Sequence, residues 1–422
     1  MFVRIGNTPR DYAWGSTTAI AALLGSRPSG APEAELWLGA HPGSPSIVLD
    51  PAATGGAGDL AEWIARDPVT ALGRADRSAA GGPPGLPYLL KVLAAAGPLS
   101  LQAHPSSAQA RAGFERENAA GIPLDSAERS YKDPLHKPEL IYALSETFEA
   151  LCGFRAPSES ARVLGGFADV SEDAGRAVIQ RLSAMLLDAP AERALREATA
   201  WLLSGDPVVG GLVSAVVCAA EELGERAQPE QSDHDLSFEV ARAVDTVRLL
   251  SRAFPGDPGI VLALLLNRAT LRRGEVLYLP AGNIHAYLSG LGIELMAASD
   301  NVLRGGLTGK RIDVPELLAV LDFAPLHVST LAPDTSEAGL SVYRPDVPDF
   351  ALDVVTVGAA VPTTTVRIPG PAIAICTAGE VDLRGVHGSI RLTRGGAVYI
   401  TLDEERLVAS GAGEVFIAVP NG

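Results

Sequence analysis

The spacing of apolar residues changes twice along this chain, and that change limits the possible folds more than any other feature. Between about residues 155 and 250, Ala, Leu, Arg and Glu dominate. Apolar residues there return at steps of three and four, as in Leu195, Ala198 and Leu202, and in Leu236, Val240, Ala243, Val247 and Leu250. That is the stripe of an amphipathic helix. On either side the spacing is that of strands. Residues 98–105 alternate Leu99, Leu101 and Ala103 against Ser100, Gln102 and His104 before Pro105 ends the run. Residues 86–93 read as a buried strand, and 260–300 return to strand after the helical block.

Beyond about 340 the text consists of short strands at 364–368, 372–376, 388–392, 397–402 and 414–419, broken by Gly and Pro. Such spacing predicts a small β-sandwich or jelly roll. The stretches 55–58 and 81–87 read as loops. A chain of 422 residues exceeds one ordinary core, so roughly two or three domains are expected. The formal charge of -16 argues against non-specific nucleic-acid binding, and any phosphate would need a local Arg or Lys cluster. Cys152, Cys218 and Cys376 are sparse and show no C-x-x-C spacing, which suits free thiols in a reducing compartment. The N-terminal residues lack a signal-peptide core, and the apolar run 261–266 is too short to cross a bilayer. The expectation is a cytoplasmic protein with no nucleic-acid or membrane partner.

Four segments carry residues suited to chemistry. Gln102 and His104 are two apart on a strand and so face one side; a solvated sheet face is the alternative. Glu139 follows Pro138 at the mouth of an apolar strand, where a carboxylate is costly unless paired or bound to metal; a surface turn with an ion pair fits equally. His285 ends the pattern G-x(5)-P-x-G-x-x-H that starts at Gly274. Gly274 turns the chain into a strand, Pro280 and Gly282 shape the bend after it, and His285 points inward, either as a ligand or as a core histidine. The pattern resembles the second metal motif of cupin barrels. Two imidazoles, one carboxylate and one amide oxygen make a plausible N/O metal site, and the lack of Cys ligands disfavours a closed structural zinc site. Arg304, ahead of Gly305 and Gly306, and Lys310-Arg311 after Gly309 could approach a phosphate or oxyanion closely, or form a basic surface turn.

Longer segments resemble the type I mannose-6-phosphate isomerase family. They are Tyr12-Ala13-Trp14-Gly15, Ala34-Glu35-Leu36-Trp37-Leu38-Gly39-Ala40-His41-Pro42, Leu99 to Pro105, Tyr131 to Glu139, and Tyr278 to Gly306, all in order. The resemblance implies one zinc ion per chain held by Gln102, His104, Glu139 and His285, with Arg304 as the catalytic arginine. It implies proton-transfer roles for Lys137 and Asp300, with Glu294 a further candidate nearby; as substrate-binding residues, Lys310 would join Arg304 in offsetting charge on phosphate or enediolate, and Trp14 would line the sugar pocket. The implied fold is mainly β: two cupin or jelly-roll barrels plus an all-α domain. The expected partition is a catalytic cupin unit of residues 1–153 and 256–325, a helical insertion at 154–255, and a C-terminal jelly roll at 326–422. The implied reaction is reversible isomerisation of mannose 6-phosphate and fructose 6-phosphate through a cis-enediol, in a monomer. Rival readings are an Fe(II) cupin oxygenase and a non-enzymatic sugar-phosphate-binding cupin. In the C-terminal unit, Gly395-Gly396-Ala397-Val398-Tyr399-Ile400 resembles the start of the same cupin motif. Arg406 stands where the histidine would be, so no metal is expected there.

Overall fold

Thirteen consecutive residues, His285–Ala297, form the strand around which one of the protein's two large sheets is arranged. The computed structural model describes residues 1–73, 85–226 and 238–421. Within these, two nine-stranded antiparallel sheets pack on each other, and a block of helices packs against the first of them. The first sheet gathers Glu35–Leu38, Tyr88–Ala95, Leu101–Ala103, Glu139–Ala143, Thr147–Phe154, Leu266–Arg272, Val276–Leu279, His285–Ala297 and Leu303–Gly306.

The long strand changes partners midway. Its first residues pair with Leu101–Ala103 on one side and Thr147–Phe154 on the other. From Gly290 onward the partners are Tyr88–Ala95 and Glu139–Ala143. Gly290 sits at the change with φ 128°, and a Cβ there would lie 2.6 Å from a Phe148 ring carbon, so the bend requires glycine. The sheet thereby folds over, and Leu93, Ile141, Phe148, Cys152, Leu277 and Tyr287 from both halves meet in one inner cluster.

Outer faces pack in two directions. Tyr88–Ala95 is buried throughout because it is covered on both sides: Leu93 and Ala95 face inward, while Leu90, Val92 and Ala94 pack with Ile373, Tyr399 and Phe416 of the second sheet. A strand covered on both faces reads as a continuous apolar run, which is how residues 86–93 read. Leu101, Ala103, Leu151, Ala286 and Leu288 turn the other way, into the core of the helical block. Leu99, expected to share a face with Leu101, lies ahead of the strand and packs against the inner cluster instead.

The helical block comprises Pro157–Val170, Asp173–Leu187, Ala191–Leu202, Pro207–Arg226 and Phe238–Ala253. The predicted stripes Leu195, Ala198, Leu202 and Val240, Ala243, Val247, Leu250 are buried in a shared core; Leu236 lies outside the described residues, as do 81–84 of the expected 81–87 loop. Pro207–Arg226 is long and apolar enough to cross a membrane by length and composition. Its buried residues (Val209, Leu212, Val213, Val216, Ala219, Ala220, Leu223) recur at helical spacing against the neighbouring helices, the pattern of a core helix.

The second sheet contains the five predicted C-terminal strands, but two of them are far longer than expected. Ala372–Arg384 and Arg406–Val419 run 13 and 14 residues side by side. Glycines that looked like strand ends lie inside them: Gly379 is opposite Gly413, and a Cβ on Gly379 would sit 2.0 Å from Ala412 O. The chain's first strand, Phe2–Gly6, also belongs to this sheet. It pairs with Ala397–Ile400 and Ile47–Val48, so the N-terminal residues of the expected catalytic unit are hydrogen-bonded into the C-terminal one.

Candidate metal centre

Strand register brings three of the predicted residues into one row. Arg304 lies opposite Gln102 on one side, and His285 lies opposite Gln102 on the other. Directly opposed residues of antiparallel strands project to the same face. Glu139 comes from the facing half of the sheet. Ile141 and Ala143, two and four residues on, belong to the inner cluster, so Glu139 points inward as well. His104 stands just past Leu101–Ala103, and its carbonyl accepts the Gly282 N–H at 2.8 Å. That bond ties the His104 segment to the bend of the G-x(5)-P-x-G-x-x-H motif, whose His285 opens the long strand as expected.

Both histidines have their proton placed by the backbone. His104 Nδ1 is 2.7 Å from Asn301 O, and His285 Nδ1 is 3.0 Å from Asn283 O. A carbonyl only accepts, so each Nδ1 carries a hydrogen, and in the neutral ring each Nε2 keeps its lone pair. The two Nε2 atoms lie 3.3 Å from different oxygens of Glu139. Neither approach is aligned as a hydrogen bond, and His104 Nε2, His285 Nε2 and Glu139 Oε2 are buried without partners. Ligand atoms of the three residues all fall within 4.8 Å of one another. Burial, helped by the Lys137 charge, pushes the His104 imidazole down to about 4, so the ring is neutral near pH 7. Burial works against charge on Glu139, yet Lys137 and His104 hold its carboxyl well below the usual range. Two lone pairs and a carboxylate facing one another in a dry pocket repel unless a cation lies between them. The donor set suits a divalent cation of intermediate softness, with Gln102 next to His285 in the same row.

Charged groups surround this cluster. Lys137 Nζ is 3.0 Å from Glu139 Oε1. Glu294 is paired with Lys91 at 2.8 Å, and Lys91 also lies 3.6 Å from Glu35 and 5.1 Å from the centre of the Trp37 ring. Burial raises the Glu294 carboxyl despite the pull of Lys91. Asp300 Oδ1 is 3.1 Å from His41 Nε2. Arg304 is half-buried, and none of the described carboxylates pairs with it. Trp14 stacks on Tyr12 with ring centres 5.7 Å apart and packs against the inner cluster. Lys310 is exposed; its backbone N–H donates to Thr308 Oγ1 at 3.1 Å.

Sequence reasoning passed over Lys91, Glu35, His41 and Tyr287. Lys91 is the one charge in an apolar strand, and its partners are set by register with Glu294 and Trp37. Tyr287, two residues past His285 on the same face, buries a hydroxyl that has no hydrogen-bond partner among the described residues. Period-two counting from His285 would have found it.

A family model described as phosphomannose isomerase type I, catalytic domain, matches residues 2–157. The mannose-6-phosphate isomerase of Salmonella typhimurium is 39% identical over 412 residues, spanning 97% of each chain. The enzyme of the same name from Escherichia coli is 38% identical over 97% of each chain. A solved zinc-bound holo structure of mannose 6-phosphate isomerase matches with a TM-score of 0.83 and 34% identity, with 100% of both chains covered.

Proposed function

This chain belongs to the type I phosphomannose isomerase family, and on that premise we propose that it is a zinc-dependent aldose–ketose isomerase interconverting mannose 6-phosphate and fructose 6-phosphate. The observation that carries this reading is the buried trio of His104 Nε2, His285 Nε2 and Glu139 Oε2, aimed at one point without partners of their own. Gln102, His104, Glu139 and His285 would hold the metal. Bound zinc would supply Lewis-acidic stabilisation of the negative charge that develops on the sugar oxygens.

The residues do the rest. One proton leaves carbon 2 and one arrives at carbon 1, while a hydroxyl proton shifts from oxygen 2 to oxygen 1, by way of a cis-enediol. Lys137, beside the metal-facing carboxylate, and Asp300 are the groups we assign to proton transfer, with Glu294 as a further candidate held by Lys91. Arg304 has no carboxylate of its own among the described residues and lies one strand from Gln102, which suits it to meet negative charge on phosphate or enediolate. Trp14 and Lys310 complete the sugar-phosphate pocket. We assign the two sheet units to cupin or jelly-roll barrels. The functional partition is 1–153 with 256–325, 154–255, and 326–422, acting as a cytoplasmic monomer. The rival oxygenase and binding-protein readings do not call for an arginine waiting beside the metal row.

The deciding experiment measures zinc content and fructose 6-phosphate formation together. Chelation should abolish turnover and added zinc should restore it. His285→Ala should lose zinc and activity, whereas Arg304→Ala should keep zinc and lose roughly 100-fold or more in kcat. Unchanged turnover in both variants, with zinc still bound, overturns the assignment.

A further inference from the structure

Asp300 reaches solvent, yet its carboxylate is held by His41, a half-buried residue whose side chain is largely covered. The side chains of His41 and Asp300 are 8% and 51% exposed, with Nε2 and Oδ1 3.1 Å apart. His41 Nδ1 accepts the Gly43 N–H at 3.1 Å. An amide N–H only donates, so in the neutral ring the hydrogen sits on Nε2, pointing at Asp300. This is the opposite tautomer to that of His104 and His285, whose Nε2 atoms are left bare. His41 is therefore built as a donor rather than a ligand.

The ring has little freedom to leave that position. Trp37 packs against it edge-on, with centres 4.9 Å apart and planes at 88°. Trp37 is itself held, its Nε1 donating to Glu35 Oε2 at 2.8 Å while Lys91 sits over its face. A Cβ on residue 43 would come within 3.2 Å of His41 Nδ1, so the glycine permits the close turn behind the ring. Asp300 is anchored at its backbone too, its N–H donating to Asp133 Oδ2 at 2.8 Å. The next residue, Asn301, supplies the carbonyl that fixes the His104 tautomer.

We propose that His41 is a positioning residue for the isomerisation: by donating Nε2–H to Asp300 Oδ1 it fixes the carboxylate so that Oδ2 faces the sugar. This rests on the proton-transfer role assigned to Asp300 above. One hydrogen bond on Oδ1 removes the rotation an exposed aspartate would otherwise have, and a misplaced catalytic group loses rate more than binding.

The test compares His41→Ala, His41→Gln, Asp300→Asn and the double variant His41→Ala/Asp300→Asn, each with zinc content, melting temperature, kcat and KM. His41→Ala should lower kcat roughly 10- to 100-fold with KM and zinc little changed. His41→Gln, whose side-chain amide places an N–H near the old Nε2, should recover most of that loss. Removing His41 from the Asp300→Asn background should cost nothing further in kcat. Equal losses in both backgrounds, or a kcat loss that glutamine does not rescue and that follows the melting temperature, would make His41 merely structural and overturn the proposal. Wild-type turnover in Asp300→Asn would remove Asp300 from the reaction and this inference with it. The metal-centred reading, judged by chelation and zinc return, would still stand.

Discussion

Lys91 places an ammonium where only 8% of the side chain meets solvent, between Glu294 at 2.8 Å and Glu35 at 3.6 Å. Burial opposes its charge, but the two carboxylates outweigh that and raise its pKa. Lys91→Met would leave both carboxylates buried without their cation. Breaking such a cluster costs about 3 kcal/mol, read in urea melts at about pH 8. The Glu294 carboxyl is already raised by burial, and without Lys91 it rises further. A raised folded-state carboxyl favours the folded protein at low pH and loses that advantage as pH rises. The gap between wild type and Lys91→Met should therefore narrow at about pH 6; a constant gap would mean that Glu294 does not take up the proton. At this scale the sequence was partly legible. Gln102 and His104 stood two apart on a strand, and His285 closed a spaced motif. The charge network around Lys91 was not legible, because its members come from three strands far apart in the chain.

Strands and helices were readable in kind more than in extent. The helical stripes found their shared core, since a period near 3.6 puts one face inside whatever the helix packs against. The two long C-terminal strands were read as fragments, because a glycine that ends one strand and a glycine that lets two backbones approach look the same in sequence. Gly290 is the same case at the site. It is the bend that lets one strand carry His285 in one half of the sheet and Glu294 in the other. Gly290→Ala puts a methyl group 2.6 Å from Phe148 at a φ of 128°. The expected cost is about 2 kcal/mol or more in denaturant melts, with zinc affinity reduced as the two halves shift. Full stability in Gly290→Ala would show that the bend does not need glycine.

Across the whole molecule, three packed bodies share cores, so a group far from the metal can set the stability of the chain. Asp353, 1% exposed within the C-terminal sheet, has an Oδ1 with no hydrogen-bond partner. Burial pushes its carboxyl up to about 7, against the pull of Arg344. Its unfolded value lies near the ordinary one, so its protonated form supports the fold fully below about pH 4 and the benefit is lost as pH rises through 7, by up to about 4 kcal/mol. Asp353→Asn cannot ionise, and its melting temperature should fall less than that of wild type between about pH 5 and 8; parallel curves would place the Asp353 pKa outside that window. The chain alone determined which segments are helix and strand, and which side chains could bind metal or move protons, because period, turn residues and donor chemistry are local properties. It could not say that Arg304, Gln102 and His285 form one row, that Glu139 faces them from the other half of a folded sheet, or that Phe2–Gly6 closes the C-terminal sheet. Those relations depend on register and on a bend, both settled by packing between residues more than a hundred positions apart, and only the tertiary structure decides them.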